Sequence, residues 1–353
     1  EALRAIPLRY IMIEPESRMR ASAMIRHGPP DVLQPVELPL PKPAPDQLLV
    51  RVVATSVNPA DCKQRSGNLK RIMRHTFPCI MGQDFSGVVV EVGGNCSKFK
   101  VGDDVYGATA PRNGCAAEYV AVFERETAIK PACLDAVAAA AVPTVGCTAF
   151  KGIVEIGQVA QGYRVLVHGA SGGVGAAAAQ IAKAHGASVW GTCGTHNREY
   201  VESLGVTPLD YHTTFETGLE TGSFNLVFDA VGGDEYYKRS HGLLAPNGQY
   251  VSAVGPVLHG GSIEVTYGQM MRTAGTLIPR FFGNTCSSRK YRLYLGFETA
   301  CLDQVSALVA DGRLSIRRDP ELFDLDSMSR AHEKCETGHS HGKLVVMISP
   351  PAK

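Results

Sequence analysis

The stretch that most constrains this chain is residues 165–180, Val-Leu-Val-His-Gly-Ala-Ser-Gly-Gly-Val-Gly-Ala-Ala-Ala-Ala-Gln. An apolar strand runs into a glycine cluster and then into an alanine-rich helix. Glycines 169, 172 and 175 have the spacing G-x-x-G-x-x-G. Such a turn needs glycine for a tight bend, for close approach of the backbone to a pyrophosphate, and for close packing of helix on strand. The first-turn N–H groups of the helix then face the anion. A glycine loop by itself is weak evidence; its place between strand and helix gives it weight.

The surroundings supply that context. Strands are expected at 164–168, 187–192, 224–229 and 248–254, alternating with helices at about 173–185, 196–204 and 235–244. Such alternation builds a doubly wound parallel sheet. The N-terminal part reads differently. Strands are expected at 21–26, 47–56, 85–92, 103–106 and 115–122, and seven prolines between Pro29 and Pro45 exclude a helix. Short strands with Gly/Pro punctuation predict a small β-barrel. Helices follow at 134–142 and 148–156, and late in the chain Leu302, Val305, Leu308 and Val309 share one helix face. The strand Leu344–Ile348 has no βαβ partner and is expected to return to the first domain. A chain of 353 residues exceeds one compact core, so two domains are expected.

The end of the second strand of the alternation bears on cofactor choice. An NAD site carries Asp or Glu there for the ribose 2′-hydroxyl. Here the run is Gly191-Thr-Cys-Gly-Thr195-His-Asn-Arg198, with no carboxylate before Glu199. Arg198 and Thr195 suit a 2′-phosphate instead. A charge-assisted contact of that kind is worth about 1.5–3 kcal/mol.

Several functions are excluded or disfavoured. Lys+Arg is 35 against Asp+Glu 34, which leaves no basic footprint for nucleic acid. No apolar run approaches membrane-spanning length. The ten cysteines form no C-x-x-C pair and read as reduced thiols rather than a zinc or disulfide framework. His339 and His341 are the one close histidine pair and lack a nearby third ligand. Ser171 lies outside a G-x-S-x-G elbow. What remains is hydride transfer carried by a cofactor. The mildly basic, proline-interrupted residues 1–22 read as an N-terminal extension, either beside an organelle-targeting peptide or a disordered leader.

Longer motifs now become recognisable. Ser56-Val-Asn-Pro-Ala-Asp61, Gly82-Gln-Asp84-Phe-Ser-Gly87, Phe99-x-Val-Gly102-Asp103-x-Val105-Tyr-Gly107 and the glycine loop occur in order. This pattern resembles the medium-chain dehydrogenase/reductase superfamily, in its quinone oxidoreductase (zeta-crystallin-like) branch. Phe224-x6-Val231-Gly-Gly233 and Gly338-His-Ser-His-Gly-Lys343 look most like the mitochondrial reticulon-interacting oxidoreductases. The resemblance implies an α/β protein. A GroES-like β-barrel catalytic domain would span 23–145 and 287–350, and a Rossmann doubly wound parallel-sheet domain 146–286.

It also implies NADPH as cofactor, and roles for particular residues. Gly169, Ser171, Gly172, Gly173, Val174 and Gly175 match the pyrophosphate loop. Thr195, Arg198 and Tyr211 match the adenosine-phosphate end, and His339, Ser340 and His341 a cofactor-contacting C-terminal stretch. Asn58 and Asp61 match the polar pair beside the nicotinamide: Asn58 to orient or polarise the acceptor, Asp61 to hold its loop. Zinc alcohol dehydrogenases place a Cys near 58 and a His near 83; this chain has Asn58 and Gln83, which implies no zinc. Some quinone reductases carry a Tyr shortly after the polar pair, where this chain has Gln64, Arg65 and Asn68.

The implied reaction is reduction of a quinone or other conjugated carbonyl, in mitochondria or otherwise in the cytoplasm. A homodimer or a place in a larger mitochondrial complex stays open. So do two alternative roles: an enoyl-thioester reductase, and an accessory subunit that retains NADPH.

Overall fold

The computed structural model describes residues 18–71, 73–255, 267–294 and 299–349. Three sheets form the molecule. A six-stranded parallel sheet has the spatial order 207–210, 188–193, 164–168, 224–229, 244–252, 290–293. A seven-stranded sheet runs 318–324, 343–347, 47–57, 84–92, 104–108, 127–129, with 119–123 also pairing the long strand 47–57. A small sheet joins 33–39, 18–24 and 79–80.

In the parallel sheet the chain leaves the strand 164–168 in one direction and later resumes on its other side with 224–229. Between these two strands lies the switch point, where ligands bind at the carboxyl ends of the strands. The strand Arg164–His168 is buried on both faces, so its run is continuously apolar rather than alternating. Val165 and Val167 face the helix Gly173–Ala184, in one core with Phe228 and the late helix's Val305 and Val309. Leu166 and Val227 face the opposite core, with Phe224 and Tyr250. Alanines 176–179 let that helix lie close to the sheet, and the fully buried Ile181 contributes about 1.5–3 kcal/mol.

The C-terminal strand Lys343–Met347 pairs antiparallel with 54–57 of the strand Gln47–Val57. The end of the chain thus joins the N-terminal sheet, and this join brings Lys343 beside Asn58.

Some boundaries differ from the reading above. Pairing of the first strand begins at Arg18, inside the expected extension: Met19, Ala21 and Ala23 are buried while Arg18 and Arg20 bond outward to Glu37 and Asp326. Residues 1–17 lie outside the described residues. The strand Lys290–Leu293 is the edge of the parallel sheet, so the chain remains there past 286. Its four residues are too short to give a period. The helix expected over 148–156 starts at Pro143, whose missing N–H suits a first turn, and its last part is a π-helical segment over Lys151–Ile156. The helices Pro59–Arg65, Tyr267–Cys286 and Met328–Thr337 and the strands 33–39, 207–210 and 318–324 have no counterpart in the expected elements. Among the described residues no helix is long and apolar enough to cross a membrane, and the described cysteines are free.

Candidate active site

The glycine loop closes on itself. Gly169 has φ +75°, a left-handed value, and a Cβ at Gly175 would lie 2.0 Å from the Gly169 carbonyl oxygen. The Gly169 N–H donates to Thr192 Oγ1 at 3.1 Å, and the Gly172 N–H to the Gly169 carbonyl at 3.0 Å. Gly172 is the N-cap of the helix and has no side chain to cap it, which leaves first-turn N–H groups for a ligand. Asp229, at the end of the facing strand, accepts from the N–H groups of Val231 and Gly232 at 2.9 and 2.8 Å. It thereby shapes a second turn whose Val231 packs on Gly169. Between the two turns opens a cavity of about 470 Å³, lined by Gly169, Ser171, Thr192, Tyr211, Tyr236 and Arg239 among others.

At the adenosine end the structure adds a group that the strand-end reading missed. Thr195 Oγ1 donates to Asp210 Oδ2 at 2.9 Å. Asp210 ends the strand beside Cys193 in parallel register, so a carboxylate does stand at this corner, supplied by the neighbouring strand. The His212 N–H and the Thr195 hydroxyl hold its carboxyl below the usual range, with help from the charges of His212 and Arg198. Arg198 bonds Glu202 one turn on at 3.0 Å and is largely exposed. Arg239 lines the cavity, paired with Glu216 at 2.7 Å and stacked over Phe215 at 4.1 Å. No motif singled it out, because its pairing partner lies 23 positions away.

The loop of His339, Ser340 and His341 is held from behind: the His341 N–H donates to Asp319 Oδ2 at 2.9 Å and the His339 N–H to Thr337 Oγ1 at 3.1 Å. Lys343, two positions on, reaches the glycine loop directly. Its Cδ lies 3.5 Å from where a Cβ on Gly173 would be.

Asn58 and Asp61 sit at the head of the short helix Pro59–Arg65. Asp61 Oδ2 accepts the Asn58 N–H at 2.8 Å, and the Asp61 N–H returns to the Asn58 carbonyl at 2.9 Å. This is a capping contact that fixes the loop. Asp61 Oδ1 is buried with no partner among the described residues. Burial pushes its carboxyl up to about 7, with the charge of Asp84 adding, and with the Asn58 N–H and the Lys343 charge opposing.

The Asn58 side chain lies between two opposite charges. Its Nδ2 donates to Asp84 Oδ2 at 2.8 Å, and its Oδ1 accepts from Lys343 Nζ at 2.6 Å. Asp84 also accepts from Ser56 Oγ at 2.5 Å and from the Thr144 N–H at 2.8 Å. Asn58, Asp84 and Lys343 are all buried. Gln64, Arg65 and Asn68 are buried too. Arg65 bonds the Gly28 carbonyl and Glu336, so it is a structural tie rather than an acceptor-facing group.

A zinc ion does not fit these residues. Asn58 and Gln83 offer carboxamides, poor zinc donors, and the Lys343 ammonium occupies the space beside Asn58 and Asp84. Among the described residues no group of three His, Cys, Asp or Glu side chains is gathered to hold a metal.

A parallel sheet with a glycine cradle at its switch point, joined to a mostly antiparallel sheet that carries a buried polar cluster, is the architecture of a dinucleotide-dependent dehydrogenase or reductase. Family models match accordingly: an alcohol dehydrogenase GroES-like domain over residues 44–132 and a zinc-binding dehydrogenase domain over 204–346. The chain is 32% identical to "NAD(P)H oxidoreductase RTN4IP1, mitochondrial" of Homo sapiens, over 86% of this chain and 82% of the relative. It is also 32% identical to the 2-methylene-furan-3-one reductase of Solanum lycopersicum, over 95% of this chain and 80% of that one. The solved quinone oxidoreductase of Coxiella burnetii superposes with a TM-score of 0.77 at 32% identity, covering 94% of this chain and all of that one. The chain belongs to the medium-chain dehydrogenase/reductase superfamily, in its quinone oxidoreductase branch. As a member it is an NAD(P)H-dependent oxidoreductase.

Proposed function

We propose that the protein is a zinc-independent reductase that uses NADPH to reduce a quinone or another conjugated carbonyl. The observation that carries this reading is the buried Asn58–Asp84–Lys343 cluster, which stands where a metal centre would need thiolate and imidazole ligands. Gly169, Ser171 and Gly172–Gly175 would hold the pyrophosphate, and Thr195, Arg198 and Tyr211 the adenosine phosphate. His339, Ser340 and His341 would cover the cofactor from the C-terminal side. When bound, the reduced nicotinamide supplies the hydride.

The chain's own residues then have distinct tasks. Asn58 offers an N–H to the acceptor oxygen. Asp61 keeps the Asn58 loop in place through its N–H. The carboxyl of Asp61, at about 7, is buried behind that loop. We further assign the seven-stranded and small sheets and the segment from about 299 to 349 to the acceptor side, and the six-stranded parallel sheet to the cofactor side, with a mitochondrial location. The names of two relatives support the acceptor class: a quinone oxidoreductase and a reductase of a methylene-furanone.

Purified protein is expected to oxidise NADPH in the presence of at least one quinone or enone, with a rate unchanged by chelators and no stoichiometric zinc by elemental analysis. Failure with every acceptor, or a rate abolished by a chelator, rejects this reading. Imaging of the full-length product is expected to show mitochondria; a purely cytosolic pattern rejects the location.

A further inference from the structure

The Asn58 carboxamide is oriented by chemistry as well as by packing. An ammonium has no acceptor and an ionised carboxylate has no donor. Oδ1 must therefore face Lys343 and Nδ2 must face Asp84, as the 2.6 and 2.8 Å contacts have it. Rotating the amide by half a turn would set N–H against ammonium and carbonyl against carboxylate. Nδ2 carries a second N–H besides the one given to Asp84; Asp61 lies close enough to compete for it, and it is the group that Asn58 would offer an acceptor.

Lys343 spends its own protons inside the protein, on Asn58 Oδ1 and on the Val57 carbonyl at 3.2 Å, and its ammonium pairs with Asp84 Oδ2 at 3.5 Å. A lysine so buried is costly unless paired and hydrogen-bonded, and here it is both. Its stem meanwhile lies against the first residue of the glycine-loop helix. The side chain thus spans from the cofactor cradle to the acceptor-side carboxamide.

We propose that Lys343 is the positioning residue of the acceptor site, fixing Asn58 as a hydrogen-bond donor and tying that orientation to the glycine loop. It acts through Asn58 and does not touch the acceptor. The proposal deepens the reductase reading and rests on it for its kinetic arm only.

Two variants separate orientation from packing. Lys343→Met keeps the stem against Gly173 but removes the donor. Lys343→Gln restores a donor for Asn58 Oδ1 without the charge. With a quinone acceptor, Lys343→Met is expected to lose at least about tenfold in kcat with the KM for NADPH nearly unchanged, and Lys343→Gln to recover most of the loss. Independently of turnover, hydrogen exchange of the Asn58 side-chain amide, followed by ¹⁵N NMR, is expected to be slow in wild type and in Lys343→Gln and at least about tenfold faster in Lys343→Met. Equal Asn58 exchange in wild type and Lys343→Met overturns the proposal, as does wild-type kcat in Lys343→Met. If Lys343→Met does not fold, Lys343→Gln is read alone, and fast Asn58 exchange in it is the overturning result. Absence of turnover in wild type on every quinone and enone rejects the reductase reading and leaves the exchange arm to decide the role of Lys343.

Discussion

In the proposed NADPH site, Gly175 and Arg198 would serve one ligand through different forces. Gly175 has no room for a methyl group, since the obstructing atom is a backbone carbonyl 2.0 Å away that cannot swing aside. Gly175→Ala is therefore expected to open the loop and weaken NADPH binding more than about tenfold by calorimetric titration. Gly94→Ala, with nothing within 4 Å of its Cβ, should bind as wild type does. Arg198 works by charge. Its exposure and its bond to Glu202 put its worth at the low end of a charge-assisted contact, about 1.5 kcal/mol. Arg198→Ala is expected to weaken NADPH about tenfold and leave NADH unchanged. Asp210, 2.9 Å behind Thr195, would oppose a 2′-phosphate bound here. Asp210→Asn should thus tighten NADPH and widen its margin over NADH; equal affinity of both nucleotides for wild type would refute the assignment of this corner.

Among the elements, the helix Pro59–Arg65 matters most, because seven residues cannot be stable alone. Its capping contact at Asn58 and Asp61 fixes one end. Arg65 fixes the other, fully buried and bound to the Gly28 carbonyl at 2.8 Å and to Glu336. Removing one member of a buried pair costs about 3–5 kcal/mol. Glu336 is a third exposed and can rehydrate, so Arg65→Leu is expected near the lower end, about 3 kcal/mol by urea unfolding. A loss within about 0.5 kcal/mol, the range of ordinary surface substitutions, would show that the helix is held by apolar packing instead.

At the scale of the molecule, three fully buried groups make large contributions to the acid response. Burial pushes His168 down to about 4, with Arg239 adding and Asp229 opposing, and it pushes His332 down to about 3 with help from Arg65. Both are neutral when folded and protonate on unfolding below 6.5. Their contribution is present above that value and is lost as pH falls through the folded values. Asp61 has the opposite sign: with its carboxyl raised to about 7, it favours the fold at low pH and loses that contribution as pH rises through about 7. Between about pH 4.5 and 6 unfolding takes up two protons at the histidines and releases one at Asp61. These three groups together should make stability rise with pH by about 1.4 kcal/mol per unit. Asp61→Asn removes the opposing proton and should steepen the slope to about 2.7 kcal/mol per unit. Urea midpoints at pH 5 and 6 for both proteins test this, and an unchanged slope would mean that Asp61 titrates near its ordinary value when folded.

The sequence by itself determined what local chemistry determines. The glycine loop, the strand before it and the alanine helix after it are set by neighbours a few positions apart, and Arg164–His168 and Phe224–Asp229 fall where the apolar runs predicted. The capping of Asn58 by Asp61 is likewise a three-residue matter. Tertiary structure alone decided the contacts between residues far apart in the chain. Asp210 meets Thr195 because two parallel strands lie side by side. Lys343 meets Asn58, 285 positions earlier, because the last strand returns to pair with the strand Gln47–Val57. No period or spacing encodes such a meeting. It exists only once strand pairing has brought the two side chains into the same dry space, where an ammonium and a carboxylate can hold an amide one way round.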